Sequence, residues 1–89
     1  MARYQLAEVE SASLGPGYAS ADVLFELGLK YSTGCSMPTD LVSAHKWFNL
    51  AAMRGRSEAI RYRREIAAEM SEAEIAAAQR AARDWLARH

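Results

Sequence analysis

The chain has 89 residues, of which 51% are hydrophobic and 25% charged, and its 11 basic residues balance its 11 acidic ones. This length predicts one domain with a thin core, and zero net charge excludes bulk attraction to nucleic acid or to an anionic membrane. No apolar run is long enough to span a bilayer, and the first residues lack the apolar segment of a secretory signal. The lone Cys35 excludes an internal disulfide framework and favours a reducing compartment, so we expect a cytoplasmic protein.

Residues 1–19 carry the weakest pattern in the chain, and Gly15-Pro16-Gly17 would interrupt any helix begun there. We expect these residues to form a mobile or partner-ordered arm. The Gly-Pro-Gly segment lacks the Lys and Ser/Thr of a phosphate-binding loop, so it predicts no nucleotide site.

The first predicted helix begins after Ser20, which can cap its free amide groups, and Asp22 suits its positive first turn. Gly34 predicts a left-handed stop. Gly28 lies inside the helix, where glycine costs about 1 kcal/mol relative to alanine. We interpret Gly28 as a point at which a second helix crosses closely.

The second predicted helix is capped by Asp40, runs to about Arg54 and is terminated by Gly55. Its apolar residues form a wide stripe along the helix. The residues of the stripe are Leu41, Ala44, Trp47, Phe48, Ala51 and Ala52. We predict that both large rings lie in the core, because the small residues around them leave room for rings.

A third helix is predicted from Ser57, and a fourth runs from a capping box at Ser71 and Glu74 to about Ala87. The third helix has Ala59, Tyr62, Ile66 and Met70 in register, and the inner stripe of the fourth is Ile75, Ala78, Ala82 and Trp85. No segment alternates like a strand.

These elements predict an all-α fold, an α/α hairpin (solenoid-type) stack of about four helices. Residues 20–56 form one clear repeat, and residues 57–89 form a C-terminal helical pair. Shifting the chain against itself gives only isolated identities, so this pair is either a cap or a degenerate second repeat.

The spacing of small, aromatic and glycine residues, called here the hairpin pattern, resembles the Sel-like repeat, a helical-hairpin relative of the tetratricopeptide repeat. The matching positions are Ala21, Leu27, Gly28, Tyr31, Gly34, Met37, Asp40, Ala44, Trp47, Phe48, Ala51, Ala52, Gly55 and Ala59. Ser36 departs from it, because the family has a second loop glycine there. The resemblance implies a repeat protein that acts as an adaptor or scaffold, usually with several units in series.

We find no residue set that predicts an enzyme, a metal site or a cofactor. His45 could pair with Cys35 or Asp40, but no orienting partner or paired ligand spacing accompanies them. We expect His45, beside Lys46, to be a surface residue of the second helix.

We therefore hypothesise a protein-interaction module that binds a protein or peptide through a face of the first helix, because in such stacks the first helix of each hairpin usually lines the concave side. The residues predicted for that face are Phe25, Glu26, Leu29 and Lys30. Phe25 and Leu29, four residues apart, would form an apolar strip. Stacked hairpins normally need about three units to bury a continuous core, and this chain has about one and a half. We therefore also expect either a homodimer or a last helix folded back as a lid.

The alternative is an anion- or nucleic-acid-binding regulator that uses a basic patch of Arg54, Arg56, Arg61 and Arg64. Arginine binds phosphates and carboxylates in bidentate fashion, so the same patch would also suit an acidic protein partner. Glu58 and Glu65 can pair with Arg61 within the helix, and an inward Tyr62 would leave no stacking platform for bases. A solvated face is therefore the simplest interpretation, and nucleic acid is the less favoured ligand.

Overall fold

The computed structural model describes residues 20–34 and 38–88, which form four helices. They are α1 (Ala21–Thr33), α2 (Leu41–Met53), α3 (Glu58–Ala67) and α4 (Glu72–Arg88). These ranges contain no strand, and the all-α stack of helices predicted from the sequence is confirmed. The predicted arm at residues 1–19 and the loop positions Cys35, Ser36 and Met37 lie outside the described residues.

The ends of the first two helices follow from their capping residues. The Ser20 hydroxyl accepts a hydrogen bond from the Val23 amide at 3.2 Å, and an Asp40 carboxylate oxygen accepts one from the Ser43 amide at 3.1 Å. Each bond satisfies an amide that the first helical turn leaves free. Gly34 ends α1 in the left-handed region, at φ 71°, as predicted.

The later helix ends agree with the sequence in part. Ser71 and Glu74 form the predicted capping box. The Ser71 hydroxyl accepts a hydrogen bond from the Glu74 amide at 3.1 Å, and the Glu74 carboxylate accepts one from the Ser71 amide at 2.8 Å. Helix α3 is shorter than predicted, because it ends at Ala67 and leaves Met70 outside it.

The close approach of α1 and α2 occurs at Gly28. A Cβ atom built on this glycine would lie 2.5 Å from two ring carbons of Phe48. Phe48 is fully buried, so its ring has no open space to move into. The interpretation of Gly28 as a crossing point is confirmed.

Helix α2 lies at the centre of the molecule and packs along each of the other three helices. Trp47, only 1% exposed, meets Trp85 of α4 edge to face with ring centroids 5.9 Å apart. Helices α3 and α4 contact α2 more extensively than they contact each other. Helix α4 thus folds back on α2, which is one of the two expected ways to close a short stack.

The hairpin pattern supplies much of this core. Its fully buried members are Leu27, Gly28, Ala44, Trp47, Phe48, Ala51 and Ala59; Ala21, Tyr31, Gly34 and Ala52 are half-buried, and Asp40 and Gly55 are exposed. None of the helices in the described ranges combines the length and the apolar character that a membrane crossing requires.

The Gly28–Phe48 contact predicts that Gly28→Ala destabilises the protein. Better helix propensity would favour alanine by about 1 kcal/mol, but overpacking against a fixed ring costs about 1–3 kcal/mol. We expect a lower free energy of unfolding in urea, by about 1 kcal/mol. In a Phe48→Leu background the same change should cost less or become stabilising. A Gly28→Ala protein more stable than the wild type would contradict the close contact.

The indole pair predicts that α4 depends on Trp85 for its position. Trp85→Ala should lower the free energy of unfolding by about 3 kcal/mol, because a large buried ring is lost. Arg83→Ala, an exposed change on the same helix, should stay within about 0.5 kcal/mol of the wild type. Chemical denaturation followed by circular dichroism measures both, and equal stabilities would show that α4 is held by other contacts.

Candidate functional site

The structure corrects the predicted apolar strip on α1. Phe25 is only 4% exposed and belongs to the core, so it is not available to a partner. Its ring lies edge to face with Tyr62 of α3 at a centroid distance of 5.2 Å, and 5.7 Å from Phe48. Phe25 is buried because both α2 and α3 contact α1, whereas the sequence pattern alone indicates an apolar face that packs against one helix.

The other three residues predicted on that face have mixed positions. Leu29 is half-buried against the core, while Glu26 and Lys30 are exposed. Two opposite charges beside a partly covered leucine make a small and mostly polar surface. The face of α1 therefore lacks the apolar anchor on which the hypothesis depended.

The four arginines of the predicted basic patch have three different environments. Arg56 bonds to Asp22 of α1 and to Glu58, and its guanidinium lies 4.1 Å from the centre of the Phe25 ring. Arg54 points to α4, with its guanidinium 5.6 Å from the Trp85 ring. Both guanidinium groups cover core rings, which is a structural role.

Arg61 and Arg64 are the members of the patch that lie together. They line a shallow groove of about 540 Å³ along the outer side of α3, with Ser57, Ile60 and Glu65. Arg61 is 63% exposed and reaches Glu58 only at 3.9 Å, and Arg64 is exposed as well. In the described ranges Arg64 has no carboxylate within ion-pair distance. We call this surface the α3 groove.

Ile60 is the residue of the α3 groove that the sequence interpretation missed. It is half-buried, yet it does not belong to the hydrophobic cluster of the core. Ser57, Ile60, Arg61 and Arg64 recur at the three- and four-residue steps of a single helix face, so the signal was present. The inner face of α3, with Ala59 and Tyr62, is the one that packs on the core.

His45 is a second correction, because it is 4% exposed and not on the surface. Helix α3 covers this side of α2, where the Arg63 guanidinium donates to the Asn49 side-chain oxygen at 2.8 Å. Burial lowers the pKa of His45 below its ordinary 6.5, and the nearby positive charge of Arg63 lowers that pKa further. Among residues 20–34 and 38–88, its Nδ1 atom has no hydrogen-bond partner. The imidazole is therefore neutral at pH 7.

The described part of the chain holds no group of three or more His, Cys, Asp or Glu side chains arranged to bind a metal ion. Comparison of the chain with protein-family models, with curated proteins and with solved structures gave no match.

The environment of His45 predicts a pH-dependent stability. Because the folded pKa lies below 6.5, the unfolded chain binds the proton more readily, so stability falls as the pH drops below 6.5. One such proton contributes a slope of at most about 1.4 kcal/mol per pH unit. Urea unfolding between about pH 7 and pH 5 should show a smaller loss for His45→Leu than for the wild type. Parallel curves of stability against pH for the two proteins would show that His45 is protonated as easily in the folded protein as in the unfolded chain.

Proposed function

We propose that this protein is a non-enzymatic protein–protein interaction module, an adaptor that acts in the cytoplasm and binds a protein or peptide. The observation that carries the proposal is the α3 groove. There an aliphatic side chain, Ile60, lies beside two exposed arginines, Arg61 and Arg64, on a helix that is fixed to the core on its other face.

The rigidity of α3 supports a binding role. Ala59 is fully buried, and Tyr62 lies against the rings of Phe25 and Phe48, at centroid distances of 5.2 and 5.5 Å. The Arg63–Asn49 hydrogen bond ties the helix to α2 a second time. A surface held this firmly loses little conformational entropy on binding, and that favours recognition.

The resemblance of residues 21–59 to the Sel-like repeat supports the same proposal. Its small and aromatic positions, among them Gly28, Trp47 and Phe48, are the residues that pack α1 on α2 and α4 on α2. In that family such hairpins build adaptors and scaffolds, and catalysis is not their usual role. Here one hairpin and two further helices serve as the scaffold.

The placement of the arginines favours a protein ligand over a nucleic acid. Arg54 lies over the Trp85 ring and Arg56 over the Phe25 ring, so the members of the basic patch that line the α3 groove are Arg61, whose guanidinium lies 5.0 Å from the centre of the Tyr62 ring, and Arg64. Glu65 adds a carboxylate to the same groove and lowers its positive charge. Nucleic-acid-binding surfaces combine several cations with exposed aromatic rings.

The proposal predicts that the full chain, used as bait in a lysate of its source cells, retains a stoichiometric protein partner. The captured complex should survive nuclease treatment, because a protein surface and not a nucleic acid holds it. Mass spectrometry identifies the partner, and titration with the purified partner confirms direct binding.

A Trp47→Ala bait serves as the matched control, since the loss of a fully buried ring unfolds the surface that binds. If both baits retain the partner equally, the partner binds exposed apolar segments of an unfolded chain, and the proposal is contradicted. Recovery of nucleic acid alone, with binding that weakens steeply as salt rises, would favour the alternative.

A further inference from the structure

We infer that the α3 groove binds an acidic amphipathic helix, one that carries carboxylates a turn apart beside an aliphatic side chain. This inference rests on the proposed function and names the chemistry of the partner. It follows from the charges of the groove, from the position of Ile60 and from the hydrogen bonding of α3.

The charges of the groove are incompletely compensated within the chain. Arg64 has no carboxylate within ion-pair distance in the described part, and Arg61 reaches only Glu58, at 3.9 Å. Glu58 is shared, because its Oε1 atom bonds to Arg56 at 3.0 Å and its Oε2 atom is the one that faces Arg61. Two guanidinium groups therefore remain for carboxylates of a partner, which they can bind in bidentate fashion.

The spacing of these charges matches a helix. Arg61 and Arg64 are three residues apart on one face of α3, a rise of about 4.5 Å along the axis. Residues three or four apart on a facing helix have Cβ atoms about 5–6 Å apart, so their carboxylates can pair with both guanidinium groups at once. Ile60, one residue before Arg61 and lining the same groove, would contact an aliphatic side chain beside them.

The backbone of α3 also favours a helical partner. The residues from Glu58 to Ala67 are helical, so the groove offers no sheet edge to which an extended peptide could add a strand. Recognition must then proceed through side chains, and an amphipathic helix presents these at matching intervals. Glu65 at the end of the groove would set the direction in which the partner helix lies, because a basic residue on the partner would pair with it.

The experiment uses three short, capped, fluorescent helical peptides with the full chain. The acidic probe repeats Glu-Leu-Ala-Ala, the neutral probe has Gln in place of Glu, and the basic probe has Lys there. Fluorescence anisotropy should give a Kd for the acidic probe about tenfold lower than for the neutral probe, a difference typical of charge-assisted pairs. Amide shift changes should map to residues 57–65.

Charge reversal tests the pairing directly. The Arg61→Glu/Arg64→Glu protein should lose the acidic probe and bind the basic probe instead. Arg80→Glu/Arg83→Glu, an equal change of net charge on exposed positions of α4, should leave both affinities unchanged. Ile60→Ser should lower the affinity for the acidic probe a few-fold without changing how that affinity depends on salt, because the substitution removes an apolar contact and no charge. Circular dichroism checks that each variant is folded.

Several outcomes overturn the inference: no binding of the acidic probe, equal binding of the neutral one, insensitivity to Arg61→Glu/Arg64→Glu, or tighter binding of polyuridine than of the acidic probe. The proposed function fails separately, when the full chain captures no protein partner. A captured partner retained by Arg61→Glu/Arg64→Glu would mean that the protein is an interaction module that uses another face.

Discussion

The contact between Gly28 and the ring of Phe48 is the constraint on which the rest of the structure depends. Only a residue without a side chain lets α1 approach α2 closely enough for Phe48 to be fully buried between them. Phe48 then lies beside Phe25 and Tyr62, with centroids 5.7 and 5.5 Å away, so one close approach brings three helices together. A small domain has little apolar surface to spare, and a void here would remove a large part of its core.

The central position of α2 explains the features that its own sequence did not predict. A helix covered on three sides buries residues well beyond one stripe, and His45 is therefore enclosed although its neighbours in sequence include the half-buried polar residues Ser43 and Lys46. The Arg63–Asn49 bond closes this side, where burial lowers the pKa of His45 and the positive charge of Arg63 lowers that pKa further. Stability and protonation are thus coupled through the same α2–α3 interface that fixes the groove-bearing helix.

The tertiary structure divides the arginines by role. Arg54 and Arg56 lie over the rings of Trp85 and Phe25, where their side chains cover the edge of the core. Arg63 bonds to Asn49, and Arg61 and Arg64 are left at the α3 groove. A cluster that looks uniform along the chain therefore divides by position, and of its members only Arg61 and Arg64 line the groove. This division is the physical basis for proposing a small, directional protein-binding surface.

The sequence by itself determined the helices, their caps and the close crossing at Gly28, because these depend on neighbours within a few residues or on a side chain being absent. It also contained the spacing of Ser57, Ile60, Arg61 and Arg64. Only the tertiary structure decided that Phe25 and His45 are buried, and which arginines lie over aromatic rings or form ion pairs. Periodicity shows that a helix has an apolar face, but it does not show how many neighbours cover that helix. The long-range packing of α3 on α1 and α2 settles that question.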